Sequence, residues 1–328
     1  MTAVETLAEA VRSGDRRALA RAVTLVESTR ADHRAEAERL VEMLLPAAGG
    51  AIRLGVTGAP GVGKSTFIER FGLDGIARGR RVAVLAVDPV SKRGGGAILG
   101  DKTRMAELAR ARDAFIRPSP GGDGAGGVAR RTRETILLCE AAGFDAVIVE
   151  TIGVGQSETA VAAMVDMFVL LLSPAGGDEL QGIKRGIIEL ADLVLVTKAD
   201  DGLRDAARRT AADYANAMRL LRPRLANWQV PVRAISSING TGVAETWDDA
   251  ERFRATLEAA GEWQRRRADQ ARAALWAEIG ASLLDGFRGC PAIERTIGAL
   301  EADVAAGRRT PTSAARRLLS HFLSNRSG

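Results

Sequence analysis

The first residues that point to chemistry form the stretch "GAPGVGKST", which matches the pattern G-x-x-x-x-G-K-[ST]. An apolar strand pattern comes directly before this stretch and a helical pattern comes directly after it. Glycines let successive backbone N–H groups point into one cavity, and the start of the helix adds the positive end of its dipole. The stretch therefore predicts a loop that binds nucleotide phosphates, formed by Gly58, Ala59, Pro60, Gly61, Val62, Gly63, Lys64, Ser65 and Thr66.

Charged and hydroxyl side chains near this loop predict a metal and hydrolysis site. We expect Lys64 to reach the β- and γ-phosphate oxygens and the Ser65 hydroxyl to ligate Mg²⁺. Glu150 ends one apolar strand pattern and Asp88 ends another, which places both acids at the carboxyl edge of a parallel sheet. Asp101 opens the next helical pattern, where a helix N-cap is an equally good interpretation. The three acids are thus the candidate metal ligands beside Ser65.

The segment "TIGVGQ" follows Glu150 and predicts a loop that senses the terminal phosphate. The N–H of Gly153 would donate to the γ-phosphate. Gln156 could orient a water, although its spacing from Gly153 differs from that of Ras-like proteins. A loop of this kind would change its structure when the γ-phosphate leaves.

The segment "TKAD" at the end of another apolar strand predicts the site for the base. The carboxylate of Asp200 could accept from both the N1–H and the 2-amino group of guanine, whereas adenine presents a lone pair at N1. Lys198 would lay its aliphatic stem along the base plane. In "SSING", at the end of the next strand, we expect backbone N–H groups of Ser236, Ser237 and Ile238 to reach guanine O6.

The hydrophobic pattern around these motifs predicts an α/β fold with a doubly wound, mostly parallel sheet. Seven short segments are apolar on both faces and alternate with helical patterns, as expected for strands covered on two sides. They lie at residues 51–56, 81–87, 114–116, 145–150, 166–172, 192–197 and 231–236. Helical patterns alone occupy both ends of the chain. We therefore expect a helical extension at 1–48, a nucleotide-binding domain at 49–260 and a helical arm at 261–328.

Composition excludes several classes of protein. The chain has 328 residues, 46% of them hydrophobic, which is typical of a globular protein. Its net charge of +5 could favour nucleic acid, but the basic runs, such as 265–267, are short and lack aromatic neighbours, so a solvated helix face is expected. Two distant cysteines favour a reducing cytoplasm over a disulfide framework. No apolar run is long enough to predict a membrane span.

Taken together, the motifs resemble the MeaB/ArgK family of P-loop GTPases over almost the whole chain. The most specific stretches are "GAPGVGKST", "VDPVSKRGGGAILGDKTRM", "FIRPSP", "TRETILLCEAAGFD", "VETIGVGQSE" and "GDELQGIKRGIIELAD". The resemblance implies GTP or GDP with Mg²⁺ as ligands. It also implies a chaperone that gates cofactor loading of an adenosylcobalamin-dependent acyl-CoA mutase, chiefly methylmalonyl-CoA mutase, and that protects or reactivates the enzyme. A homodimer formed through the C-terminal arm is expected, without nucleic-acid or membrane partners.

The resemblance also assigns roles residue by residue. Asp88, Asp101 and Glu150 match acids that support Mg²⁺ and hydrolysis. Residues 174–184 resemble a switch loop whose Lys184 would approach the phosphates when the mutase docks, so that hydrolysis is slow without the partner. Thr197 stands where the family pattern leads one to expect Asn, and the shorter side chain is expected to weaken the link between the base site and the phosphate loop.

Two other functions compete with this interpretation. A metal-delivery GTPase needs imidazole or thiolate ligands, and the sequence offers only His33, His321, Cys139 and Cys290. A small-molecule kinase needs an acceptor pocket and a base, and no motif identifies either. A signal-recognition GTPase would carry a methionine-rich domain, which six methionines in total do not provide.

Overall fold

The computed structural model describes residues 2–87, 105–118, 125–151, 157–174, 185–221 and 224–324. The chain divides into two compact units, Met1–Gln270 and Ala271–Gly328. The first unit contains the sheet and every described residue of the predicted nucleotide site. The three-part division predicted from the sequence stays a prediction.

A parallel sheet of seven strands forms the centre of the first unit. In chain order its strands are β1 (Ile52–Gly58), β2 (Val82–Val87), β3 (Ala114–Pro118), β4 (Ala146–Thr151), β5 (Met167–Leu172), β6 (Leu193–Val196) and β7 (Val232–Ala234). Their order across the sheet is β3-β2-β4-β1-β5-β6-β7, so β1 is central and lies between β4 and β5. The predicted fold class and strand segments are confirmed.

Helices connect and cover these strands. Those of the first unit are α1 (Ala3–Arg12), α2 (Arg16–Glu27), α3 (Ala31–Leu44), α4 (Lys64–Ala77), α5 (Ala106–Arg110), α6 (Ala125–Ala141), α7 (Ser157–Ala162), α8 (Arg185–Ile188), α9 (Arg204–Leu220), α10 (Val243–Ala259) and the beginning of α11 (Glu262–Arg288). Short 3₁₀ turns lie at Leu45–Ala47 and Asp201–Leu203. Helices α4, α6 and α9 lie between strands, where the sequence predicted helical patterns.

Alternating side chains of the strands build a core on each face of the sheet. In β4, Val147 and Val149 join the core covered by α6 and α7, whereas Ala146 and Ile148 join the core covered by α4 and α10. A third cluster packs β5 and β6 against α9. Because both faces are covered, the strands contain almost only apolar residues, which is the pattern that predicted them.

The N-terminal helices belong to the first of these cores. Helix α1 begins with a capping box, in which Glu5 N–H donates to Thr2 Oγ1 at 3.3 Å and Thr2 N–H donates to Glu5 Oε2 at 2.9 Å. Its apolar stripe, with Ala8 and Val11 fully buried, lies in the same cluster as residues of α6 and of the sheet. The predicted helical extension is therefore packed onto the sheet domain.

The amino edge of the sheet, where the parallel strands begin, is held by arginines of α11. Both carboxylate oxygens of Asp166 accept from Arg267, at 2.8 and 2.5 Å. The same guanidinium donates to the carbonyls of Gly49 and Ala51, each at 2.7 Å. Arg267 thus fixes the start of α11 to the segments that precede β1 and β5.

Two further arginine–carboxylate pairs complete this amino-edge network. Arg53 of β1 donates twice to Glu140 of α6, at 2.9 and 2.8 Å, and Arg266 donates to Asp192 at 3.1 Å. The side chains of Arg266 and Arg267 are only 12% and 11% exposed. The prediction that the basic run 265–267 forms a solvated helix face is therefore wrong for these two residues, because they neutralise carboxylates at the strand starts.

The second unit is helical. It contains the end of α11 together with α12 (Pro291–Ala305) and α13 (Pro311–Ser324), and the rings of Phe287 and Phe322 meet edge to face at 5.3 Å. Several large apolar side chains of this unit are exposed: Leu275, Trp276, Ile279, Leu283, Leu284, Leu319 and Leu323. Within the described part of the chain, no helix is both long and apolar enough to cross a membrane.

Candidate nucleotide site

The predicted site residues that the structure describes lie at one edge of the sheet. Because all strands are parallel, their carboxyl ends share this edge, and Gly58 of β1 is in register with Leu171 of β5. On the other side of β1, Val56 is in register with Glu150 of β4. The predicted residues Asp88, Asp101, Gly153, Gln156 and Lys184 lie outside the described residues.

The phosphate loop needs glycine at defined positions. Gly61 and Gly63 have φ values of +77° and +101°, a region that side chains disfavour. At Gly58, a Cβ atom would come within 2.5 Å of the Leu171 carbonyl oxygen. The backbone can therefore adopt this turn, and approach β5 so closely, only with these glycines. Ala59, Pro60 and Thr66 complete the predicted segment around the start of α4.

Lys64 begins α4 and folds its side chain back over the loop. Its Nζ donates to the carbonyls of Gly58 at 2.7 Å and of Ala59 at 3.1 Å, and the residue is only 9% exposed. Burial lowers the pKa of Lys64, while the charges of Glu150 and Glu158 oppose that shift. The loop thus holds a partly desolvated ammonium group, which suits an anionic ligand.

Ser65 and Glu150 bring two oxygen donors together. Ser65 Oγ donates to Glu150 Oε1 at 3.1 Å, and Glu150 is only 4% exposed at the end of β4. Hydroxyl and carboxylate oxygens are hard ligands of the kind that Mg²⁺ prefers. These two residues therefore fit the predicted metal site. The other two predicted ligands, Asp88 and Asp101, fall outside the described residues.

Glu158 is a buried acid of this region that the sequence did not single out. It lies in the first turn of α7, is 1% exposed, and its charge acts on Lys64 together with that of Glu150. Val161, one turn later, packs so closely on β1 that a Cβ atom at Gly55 would meet it at 2.9 Å. The i, i+3 spacing of an acid and a buried valine could have indicated that Glu158 faces the sheet.

Asp200 and the loop after β7 form the predicted base site. Ser236 Oγ donates to Asp200 Oδ2 at 2.6 Å, and Ser236 is completely buried. Lys198 is exposed and adopts a positive φ of +55°, which sets its side chain apart from the buried Ala199. We refer to residues 236–242 as the base loop.

The structure changes the predicted role of Ser236. Its N–H donates to the carbonyl of Thr241 at 2.9 Å, so this group is already engaged within the base loop. Ser236 acts instead through its hydroxyl, which fixes the Asp200 carboxylate. Among the described residues, no acceptor is found for the N–H groups of Ser237 and Ile238. These two groups are therefore available for the predicted contacts to O6.

Thr197 connects the base site to the phosphate loop. Its hydroxyl lies 2.7 Å from the carbonyl oxygen of Val62 and 3.1 Å from that of Leu172, and it can donate to one of them at a time. The backbone N–H of Thr197 also donates to Leu172 O at 2.9 Å. A link to the phosphate loop is therefore present despite the shorter side chain, and it runs through a single hydroxyl proton.

Comparisons with known proteins agree with this arrangement. Residues 19–291 match the family described as "Methylmalonyl Co-A mutase-associated GTPase MeaB". The chain belongs to the MeaB family. A probable GTPase of Mycobacterium tuberculosis is 54% identical over 316 residues, which cover 96% of this chain and 94% of the relative. The predicted family is thus confirmed, and this MeaB-family chain is a GTPase that binds guanine nucleotide.

Two other similarities extend over nearly the whole chain of this MeaB-family protein. The mouse protein named "Methylmalonic aciduria type A homolog, mitochondrial" is 47% identical over 331 residues, which cover 98% of this chain and 80% of the mouse protein. A crystal structure described as "LAO/AO transport system kinase" superposes with a TM-score of 0.78 at 37% identity, and covers 98% of this chain and 97% of the other. The similarity to this crystal structure therefore extends over both helical ends of the chain.

Proposed function

We propose that this MeaB-family GTPase hydrolyses GTP, with Mg²⁺, at the carboxyl edge of its sheet. Ser65 and Glu150, with the sequence-assigned Asp88 and Asp101, would hold the metal or its waters. A bound Mg²⁺ would neutralise charge on the phosphates. Lys64 would leave the two loop carbonyls and donate to the β- and γ-phosphate oxygens. The Ser65–Glu150 contact at 3.1 Å supports this assignment, because it places hard oxygen ligands beside the phosphate loop.

Guanine recognition would depend on Asp200. Ser236 holds Oδ2, and the carboxylate would accept from the N1–H and the 2-amino group of guanine. The N–H groups of Ser237 and Ile238 would donate to O6, and the Lys198 stem would cover the base plane. Gly153 would contact the γ-phosphate, as its sequence position predicts. Each of these contacts remains part of the proposal.

We further propose that the protein is a chaperone of an adenosylcobalamin-dependent acyl-CoA mutase, most directly methylmalonyl-CoA mutase. The family description and the name of the mouse relative support this partner. The protein would gate cofactor loading and protect or reactivate the mutase. Hydrolysis would be slow alone and faster with the mutase, when Lys184 reaches the phosphates. The observation that carries the proposal is the family match over residues 19–291.

Exposed apolar side chains of the second unit support a homodimer. Trp276 is 72% exposed and lies on the same helix as Ile279 and Leu283, at the spacing of one helical face. An exposed apolar stripe of this kind is typical of a surface that is covered by another chain. Sedimentation velocity would test the proposal. The wild type is expected to be a dimer and Trp276→Glu a monomer. A wild type that is itself a monomer would contradict the proposal.

The proposed partnership can be tested with purified proteins. The chain would be mixed with methylmalonyl-CoA mutase, and GTP hydrolysis measured with and without the mutase, alongside gel-filtration of the mixture. Co-elution and a mutase-dependent rise in rate are expected, and Lys184→Ala should lose the rise while binding GDP normally. The proposal would be contradicted if the two proteins did not co-elute and the rate of hydrolysis did not change.

A small-molecule kinase is the alternative, because the structurally similar protein is described as a transport system kinase. A kinase would transfer the γ-phosphate to an acceptor instead of to water. The same reaction, followed by ³¹P spectroscopy, separates the two functions. GDP and inorganic phosphate as the only products support the GTPase, whereas GDP together with a phosphorylated acceptor would support the kinase.

A further inference from the structure

One side chain of the phosphate-binding helix lies directly on the base loop. Arg70 of α4 covers Gly240, such that a Cβ atom at Gly240 would lie 2.8 Å from Nη2, 3.1 Å from Cζ and 3.3 Å from Nε. Three guanidinium atoms at similar distances mean that the flat face of the group rests on the glycine. Arg70 therefore spans from the helix that begins at Lys64 to the loop that holds Ser236.

The position that Arg70 covers favours glycine. Gly240 has a φ of +82°, and its missing side chain leaves the space that the guanidinium occupies. On the other side, Asp74 lies one helical turn from Arg70 and approaches Arg70 Nε at 3.5 Å. The arginine is thus oriented by an ion pair on its own helix and by a glycine fitted to its face.

The base loop transmits the position of Gly240 to Asp200 through short contacts. Gly240 N–H donates to the Ser236 carbonyl at 2.9 Å, and Ser236 N–H donates to the Thr241 carbonyl at 2.9 Å. Thr241 N–H donates to Asn239 Oδ1 at 3.0 Å, which closes the turn. Since the Ser236 hydroxyl holds Asp200, a shift of Gly240 would move the carboxylate that faces the base.

We propose that Arg70 is a positioning residue for guanine recognition, which holds the base loop at the correct distance from the phosphate loop. The ribose limits the distance that a nucleotide can span, so its base and phosphates bind together only when the two loops are correctly spaced. Arg70 would not touch the nucleotide and would act through Gly240, Ser236 and Asp200. This inference rests on the proposed guanine site and adds a residue that sets its geometry.

The test separates binding of the base from binding of the phosphates. Dissociation constants of GDP and of inorganic pyrophosphate, each with Mg²⁺, would be measured by calorimetry for the wild type, Arg70→Ala, Arg70→Lys and Arg78→Ala. Arg78 is a matched control, because it follows α4 directly and donates to Asp248 at 2.8 Å and to the Ala244 carbonyl at 2.9 Å, both of which belong to α10 and lie outside residues 236–242. Thermal melting would confirm that each variant is folded.

For Arg70→Ala we expect GDP affinity to fall about threefold to tenfold, the effect of misplacing a hydrogen-bonding group, with pyrophosphate affinity unchanged. Arg70→Lys should recover only part of the loss, because a lysine cannot lay a flat cation on Gly240. Arg78→Ala should leave both affinities unchanged. Gly240→Ala provides a second variant that displaces the guanidinium from the opposite side, and it should lower the affinity for GDP but not for pyrophosphate.

An unchanged GDP affinity in Arg70→Ala would overturn the inference. Equal losses for GDP and pyrophosphate, or the same loss in Arg78→Ala, would also overturn it, because they would indicate general loosening of α4. A different result would count against the proposed function itself: a wild type that binds ADP as tightly as GDP. The failure of the inference and of the guanine site can thus be told apart.

Discussion

The two edges of the sheet compensate their charges in different ways. At the amino edge, carboxylates meet guanidinium groups directly, as Asp166 meets Arg267 and Glu140 meets Arg53. At the nucleotide site on the carboxyl edge, charged groups also meet neutral ones, as when Lys64 Nζ donates to the Gly58 carbonyl. Here the hydroxyls of Ser65 and Ser236 hold the carboxylates of Glu150 and Asp200.

This difference separates stability from binding. A buried carboxylate paired with an arginine is already neutralised, and breaking the pair leaves an uncompensated charge. A contact with a carbonyl or a hydroxyl does not neutralise a charge. A phosphate, a metal ion or a guanine N–H group can therefore still interact with it strongly. We therefore expect substitutions at the carboxyl edge to affect ligands and those at the amino edge to affect folding.

Lys64→Ala should have the largest effect, and it should lower nucleotide hydrolysis without lowering stability. Removing the ammonium that is proposed to contact the phosphates is expected to lower GTP hydrolysis at least about 100-fold, as for loss of one preorganised donor. The unfolding midpoint should stay equal or rise, because a partly desolvated charge is removed. Hydrolysis assays and urea unfolding check both parts, with Arg208→Ala on the exposed face of α9 as the control. A clear loss of stability would contradict the expectation that the carboxyl edge affects ligand binding rather than folding.

Asp166→Asn should show the opposite pattern. Arg267 would lose its nearest carboxylate and keep Glu140 at 3.9 Å, which is expected to cost about 3 kcal/mol of unfolding free energy. GDP affinity should stay within about twofold, since the change leaves the sheet register intact. Urea unfolding and calorimetry below the melting temperature measure the two quantities. A stable variant that binds GDP poorly would show that the amino edge controls the nucleotide site.

Glu158→Gln tests how a buried acid at the carboxyl edge affects nucleotide binding. The substitution keeps the size of the side chain and removes a charge that acts on Lys64. We expect nucleotide affinity to change about tenfold or less, which corresponds to one partly screened charge interaction. The expected sign is tighter binding, because the acid repels phosphates. Weaker GDP binding in calorimetry would instead mean that Glu158 orients Lys64.

Thr197→Val should give a smaller effect. Without the hydroxyl, the Val62 carbonyl loses its donor, while the Thr197 backbone contact to Leu172 is retained. We expect GDP affinity to fall about threefold to tenfold. Thr197→Ser keeps the hydroxyl and should bind GDP like the wild type. A valine variant with wild-type affinity would show that the link does not position the phosphate loop.

Much of the fold could be predicted because it depends on local patterns. Strands buried on both faces read as apolar runs, and the glycines of the phosphate loop are imposed by its backbone. The burial of Arg266 and Arg267 could not be predicted, since their partners Asp192 and Asp166 are distant in sequence. The same holds for Thr197, whose acceptor Val62 is 135 residues away.

Details of the candidate site depended on tertiary contacts in the same way. The motif "SSING" indicated a base loop, but only the structure shows that the Ser236 N–H is engaged and that its hydroxyl holds Asp200. The packing of Arg70 on Gly240 joins residues 170 positions apart on separate elements. Motifs therefore predicted which residues form the site, and packing determines which atom of each is available.

The proposed role of Asp200 in guanine recognition is tested most directly by exchanging its carboxylate. Dissociation constants of GDP, XDP and ADP would be measured by calorimetry for the wild type and for Asp200→Asn. The wild type is expected to prefer GDP to both other nucleotides. The variant should lose GDP affinity about 100-fold or more and bind XDP better, because an amide N–H can donate to the 2-carbonyl of xanthine. An unchanged ratio of GDP to XDP affinity in Asp200→Asn would contradict the proposed role of Asp200.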